Sequence, residues 1–206
     1  MDGRASTSME FVPVVTGDEE ALLDEVLAVP FSYVSTEGPV WRTAAMRRRI
    51  IEDERKSHVL VRRDAQLIGA VSWSAGQTPG YFRLVLTSCS DEAWTPEATD
   101  RALRAALSML LRAAEVKRVE LLVATYNEAL LEYLTQHSGF IVEGMLRDRF
   151  FIDGEFWAGI ICRADVTQFV ERGERLTESR AQLLSSLRKK TLEDLTAAHD
   201  DASWSA

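Results

Sequence analysis

Cysteine and histidine are scarce in this chain: two of the first, Cys89 and Cys162, and three of the second, His58, His137 and His199. None falls in the short spacing with another that a zinc site uses, so no metal centre is expected. The two cysteines read as free thiols, buried or half-buried. No apolar run approaches the roughly 18 residues of a membrane span. The opening segment MDGRASTSMEF has no apolar stretch behind its charges, which argues against a signal peptide. These absences lead to the expectation of a cytoplasmic protein with no membrane partner. Positive charge is also in deficit, with 24 Lys and Arg against 32 Asp and Glu, a net charge of -8. Such a surface grips phosphate backbones poorly, so no nucleic-acid partner is expected.

One basic run stands out against that background: Arg47-Arg48-Arg49, followed by Lys56, Arg62 and Arg63. It reads either as the solvated face of a helix or as a grip on an anionic group. The remaining composition is that of a soluble globular chain, 46% apolar and 27% charged over 206 residues. That length is enough for one well-cored domain with an appendage.

Periodicity and turn residues order the chain. Phe11–Val15 reads as a short first strand, with Pro13 placing it near a sheet edge. A helix follows from Gly17 to about Ala28, acidic in its first turn. Pro30 to Pro39 is a loop, and Val40 to about Glu54 has the spacing of a second helix. His58–Arg63, Gln66–Ser74 and Tyr81–Thr87 read as a meander of strands. Thr95-Pro96 starts a helix, a capping hydroxyl with proline at the first helical position. Its apolar stripe is Leu103, Ala106, Leu107, Leu110, Leu111 and Ala114. Val119–Ala124 is an apolar strand suited to burial on both faces. Asn127 opens a helix to about His137, closed by Ser138-Gly139. A long hairpin then turns at Asp153-Gly154. After Asp165 a sparse stripe, Leu176, Leu183, Leu184, Leu187, Leu192 and Leu195, reads as an amphipathic helix with a tail ending near Trp204. It packs on its own domain or pairs with a second subunit.

The stretch Lys117–Ala164 carries the most specific pattern: strand, Asn127-opened helix, Gly139-Phe140, Glu143-Gly144-Met145-Leu146-Arg147, hairpin. It resembles the C-terminal half of the GNAT acetyltransferase superfamily, closest to the branch that acetylates ribosomal-protein N-termini. The resemblance implies a mixed α/β fold over about residues 9–164, a central mixed sheet flanked by helices, with residues 165–206 as a C-terminal helical extension. It also implies an N-acyltransferase that takes acetyl-CoA or another acyl-CoA and acylates an amine of a small molecule or peptide.

By that resemblance Asn127 would bond the pantetheine arm, a role compatible with its position as a helix N-cap. Leu86, Thr87 and Thr99 would line the cofactor. Tyr133 would protonate the leaving thiolate, with Tyr126 and His137 as weaker candidates. Glu143 would serve the acceptor amine. The segment Glu143–Arg147 would edge the acceptor side, where Arg147 and Asp148 could position substrate.

Two segments depart from the family's pattern. The family holds pyrophosphate in a glycine-rich loop at a helix N-terminus. Here that position reads Trp94-Thr95-Pro96-Glu97-Ala98-Thr99, and no glycine lies between Tyr81 and Gly139. Pro96 removes an amide donor and Glu97 adds a negative charge. The preceding strand, Tyr81–Thr87, has no carboxylate to act as base and has Arg83 in its middle. Arg83 reads as an outward strand residue or as the partner of an anion in the cleft. Five tryptophans allow an apolar pocket, with Trp41, Trp73 and Trp157, beside Phe31 and Tyr33, as substrate-side candidates. The alternative to acyl transfer is therefore a GNAT-fold protein without CoA. It would be either an enzyme acting on an apolar small molecule or a binding module, with a homodimer through the C-terminal helix as one assembly open to it.

Overall fold

The computed structural model describes residues 8–137 and 139–169. Seven strands form one sheet in the order β1-β2-β3-β4-β5-β7-β6. They are β1 Met9–Pro13, β2 Lys56–Arg63, β3 Gln66–Ala75, β4 Tyr81–Ser88, β5 Arg118–Ala124, β6 Phe140–Ile152 and β7 Glu155–Ala164. All neighbours are antiparallel except β4 and β5, which are parallel. The mixed α/β class read from the sequence is the one observed. Pro13 ends β1 at the sheet edge, where a missing N–H disturbs no ladder.

Four helices cover the sheet: α1 Gly17–Ala28, α2 Ala44–Ile51, α3 Pro96–Ala113 and α4 Glu128–Gln136. Leu23, Val26 and Leu27 of α1 pack on Leu60 and Ala70, joined by Ile50 and Ile51 of α2. On the opposite face Ala102, Leu103, Ala106, Leu107 and Leu110 of α3 form the main core with Leu84, Leu86, Val119, Leu121 and Val123. The α3 stripe read from the sequence is that core face. Thr95 caps α3 by accepting from the Ala98 amide. Asn127 caps α4 by accepting from the Leu130 amide at 3.1 Å. The hairpin turns use left-handed residues: Asp64 and Ala65 between β2 and β3, Gly80 between β3 and β4, Asp153 and Gly154 between β6 and β7.

Helix α2 starts at Ala44 rather than Val40. Thr43 accepts from the Met46 amide and so fixes the start. Val40, Trp41 and Arg42 stay in the loop, where the Arg42 guanidinium, 4% exposed, pairs with Glu37 at 2.9 Å. The basic run divides: Arg47 pairs with Asp24 at 2.8 Å, while Arg48 and Arg49 are exposed. At the other end, Asp165 accepts from Thr167 and Phe169 packs against Phe140, so the folded body continues through Phe169. The amphipathic helix and tail expected beyond it lie outside the described residues.

Candidate functional site

The parallel pair at the centre of the sheet is incomplete. Pairing runs from Tyr81–Arg118 to Leu84–Leu121 and stops there, although β4 continues to Ser88 and β5 to Ala124. The two strands part into a wedge. Unpaired main-chain groups inside a protein need partners, and here the chain's own α1–α2 loop supplies them. Thr36 donates its amide to the Leu86 carbonyl at 2.9 Å, and its hydroxyl accepts the Leu86 amide at 3.1 Å. The Ser35 hydroxyl accepts the Ser88 amide at 3.0 Å. Asn127 donates its side-chain amide to the Val34 carbonyl at 2.8 Å. Val34, Ser35 and Thr36 are buried, and Val34 belongs to the main core cluster.

The strap is fastened at both ends. Asp91 accepts from the Ser32 hydroxyl at 2.6 Å and from the Tyr33 amide at 2.8 Å. Ser32 in turn accepts the amides of Val34 and Ser35. Beyond Thr36 the chain turns through Gly38, whose φ of +82° and close approach to Tyr126 and Phe150 suit glycine alone. Tyr33, Phe150 and Trp157 each stand edge-to-face on Tyr126. Burial and the neighbouring Tyr33 push the Tyr126 phenol up to about 12, so it stays neutral.

The N-terminus of α3 is built from groups that serve the fold. Trp94 is buried and donates its indole N–H to the Ile68 carbonyl at 3.1 Å. Pro96 brings no amide, and the Ala98 and Thr99 amides are taken by Thr95. Asp91, just upstream, holds the strap. Thr99 is fully buried. Of the four residues that the resemblance assigns to cofactor, Leu86 has both peptide groups engaged by Thr36. Asn127 has its side chain engaged by Val34 and Leu130. Thr87 faces the other side of the sheet, and Thr99 lies under α3's surface. The residues present do not fit acyl-CoA in this arrangement.

Tyr133 has no exposed surface. Its ring stacks on His137 with centroids 4.9 Å apart and meets Phe140 edge-on. Its hydroxyl has no hydrogen bond of good geometry among the described residues, and burial, with the Asp100 carboxylate second, raises its pKa well above the ordinary phenol value. Glu143 is held on both oxygens: Arg163 Nε donates to one at 2.8 Å and Arg118 binds both. The Arg118 and then the Arg163 hydrogen bonds hold its carboxyl below the ordinary value. A carboxylate so held is a weak base, and its evident work is to tie β5 to the β6–β7 hairpin. Arg147 is exposed in a bulge of β6 between Leu146 and Phe150, without an ion pair among the described residues. The tryptophans do not share one pocket. Trp41 is 70% exposed against Phe31. Trp157 belongs to the Tyr126 cluster. Trp73 lines a cavity on β3.

That cavity lies on the face of the sheet carrying α1 and α2. It has a volume of about 200 Å³ and is bounded by Leu27, Ile50, Lys56, Ser72, Arg83 and Thr87, among others. A second cavity of about 180 Å³ lies beside it, bounded by Glu120, Leu122, Leu146, Arg149 and Ile161. Arg83 lines both. Sequence reading named Arg83 but missed Lys56 as its neighbour, and missed Ser35, Thr36 and the hold of Asp91 on Ser32 and Tyr33. Cross-strand register places Lys56 opposite Ser74 and Ser74 opposite Arg83; the strap contacts join residues far apart in the chain and leave no local pattern. Among the described residues no cluster of His, Cys, Asp or Glu has the makings of a metal site, and no helix is long and apolar enough to cross a membrane.

No family model and no curated protein matches the chain. Solved structures do. The smu.2055 protein of Streptococcus mutans is similar with a TM-score of 0.58 at 19% identity, over 76% of this chain and 99% of its own. A GNAT-family acetyltransferase of Streptococcus pneumoniae gives 0.56 at 17%, over 75% and 98%. The spermidine N-acetyltransferase of Vibrio cholerae, solved with CoA and spermine, gives 0.56 at 16%, over 79% and 98%. At such identities the likeness is one of fold: the chain has the fold of the GNAT acetyltransferases.

Proposed function

We propose that this is a GNAT-fold protein that works without acyl-CoA and binds a small molecule in the cavity on the α1–α2 face of its sheet. Thr36 carries the reading. Its amide and hydroxyl occupy the Leu86 peptide groups at 2.9 and 3.1 Å, the groups a pantetheine arm would need. Glycine is missing from the α3 entry, and the Asp91 carboxylate stands there instead, engaged by Ser32 and Tyr33. A site that must expel its own buried segment and accept phosphates beside a carboxylate is poorly organised for that ligand. Calorimetric titration with acetyl-CoA, free CoA and longer acyl-CoAs tests it. Absence of binding at millimolar ligand upholds the reading, and micromolar binding overturns it.

A second reading is N-acyl transfer from acyl-CoA to an amine of a small molecule or peptide. What favours it is the fold shared with the CoA-bound Vibrio cholerae enzyme, together with Asn127 at the mouth of the wedge. On this reading the strap must leave before acyl-CoA enters. Loosening it by Ser35→Ala with Thr36→Val would then tighten acyl-CoA binding at least tenfold. Unchanged or absent binding in that variant removes the reading.

A further inference from the structure

The α1–α2 face of the sheet carries a charged row set by strand register. Lys56 of β2 lies opposite Ser74 of β3, Ser74 opposite Arg83 of β4, Arg83 opposite Glu120 of β5, and Glu120 opposite Arg163 of β7. Residues so paired point to one side. Two of the four charges in this row already have partners: Arg118 donates to Glu120 at 2.8 Å, and Arg163 donates to Glu143 at 2.8 Å. Outside the row, Arg42 donates to Glu37 at 2.9 Å. Arg83 has no ion pair among the described residues, and Lys56 has only a 4.0 Å approach to Asp53.

Arg83 is also the one residue common to the two cavities, of about 200 and 180 Å³. The larger combines an apolar wall of Leu27, Ile50 and Val85 with the hydroxyls of Ser72, Ser74 and Thr87 and with the Glu37 carboxylate, whose charge Arg42 offsets. The Ser72 hydroxyl is 2.7 Å from His58 Nδ1. An unpaired planar guanidinium between two partly apolar hollows suits a carboxylate, which it meets through two parallel hydrogen bonds. In a chain of net charge -8, a local positive site also selects for anions against the surrounding field.

We propose that Arg83, assisted by Lys56, binds the carboxylate of a small organic acid of amino-acid size, whose aliphatic or aromatic body enters the cavity beneath Leu27 and Ile50. The volume is below that of drug-sized pockets, which begin near ~300 Å³. This names the ligand class of that cavity in the function proposed above. It stands or falls separately from the question of CoA.

The test is calorimetric titration of the full chain with isovalerate, benzoate, leucine and inorganic phosphate, alongside acetyl-CoA. At least one carboxylate should saturate below about 1 mM. Arg83→Gln should weaken it at least tenfold, and Arg83→Lys, which keeps the charge but not the fork, severalfold. Arg62→Gln, on the far end of β2, should leave it unchanged. Arg83 is exposed, so its variants should melt as the parent does. No saturable carboxylate binding, binding indifferent to Arg83→Gln, or Arg83-dependent binding of phosphate alone would each overturn the proposal. Acetyl-CoA binding in the same series would sink the CoA-free reading and leave this one untouched.

Discussion

Thr36 and Leu86 stand 50 positions apart in the chain and meet as a strand and its partner would, amide to carbonyl at 2.9 Å. The Thr36 hydroxyl then takes the Leu86 amide, at 3.1 Å. Through this contact the wedge between β4 and β5 is completed by the protein itself.

Thr36→Val keeps the shape of the side chain and deletes the hydroxyl. It strands the Leu86 amide in a site where Thr36 is 2% exposed. A loss of about 1–3 kcal/mol is expected from an unpartnered buried donor. Urea unfolding measures it, and Thr36→Ser, which restores the acceptor, should recover most of the loss.

Tyr133→Phe should cost nothing in stability, or gain up to about 1 kcal/mol, since it removes a buried hydroxyl without a good partner. If Tyr133 were an acid for a leaving thiolate, the same variant would keep its stability and lose transferase turnover. A large fall in melting temperature would contradict the packing role described here.

Glu143→Gln tests the tie between β5 and the hairpin through pH. Its two arginine partners lower the Glu143 pKa in the folded state. The contribution is therefore complete above the ordinary carboxylate value near 4.5 and lost as pH falls through the folded value. Parent and variant should differ in melting temperature at neutral pH and converge in acid. A constant difference across that range would mean that the carboxylate's charge is irrelevant.

His58 has the opposite charge type and the same direction of pH effect. Burial, the largest cause, lowers its pKa below 6.5. Lys56 adds to the lowering, while the Ile50 carbonyl and Asp53 oppose it. The unfolded chain takes up that proton first, so stability falls as pH drops below about 6.5. Thermal unfolding of His58→Gln should show a shallower slope than the parent between about pH 7 and pH 5, the range over which histidine ordinarily titrates.

Gly69 faces the β4 backbone so closely that an added Cβ would stand 2.2 Å from the Thr87 carbonyl and 2.8 Å from the Trp94 ring. Gly69→Ala should destabilise by at least about 3 kcal/mol, beyond the usual range for overpacking, because the obstacle is main chain. A near-parental melting temperature would show that β3 and β4 separate easily.

Local chemistry made much of the fold legible. Thr95-Pro96 and Asn127 mark helix starts because a capping oxygen acts on amides only two or three residues away. Asp153-Gly154 marks a hairpin because left-handed backbone is a property of those residues. The α3 stripe needed only helical spacing to announce a buried face. Where two local signals competed, the reading slipped. Trp41 and Ile50 share helical spacing, but the Thr43 cap starts α2 beyond Trp41.

The candidate site was legible only in part, for the same reason. The missing glycines and Arg83 could be read directly, since each is a property of one short segment. That Asp91 holds Ser32, that Asn127 holds Val34, and that Lys56 and Arg83 flank one cavity are decided by contacts between distant segments. A sequence determines which groups can donate, accept or carry charge. Only the folded chain decides whether those groups face a ligand or one another, and here the wedge's groups face Ser35 and Thr36 while Arg83 has no ion pair among the described residues.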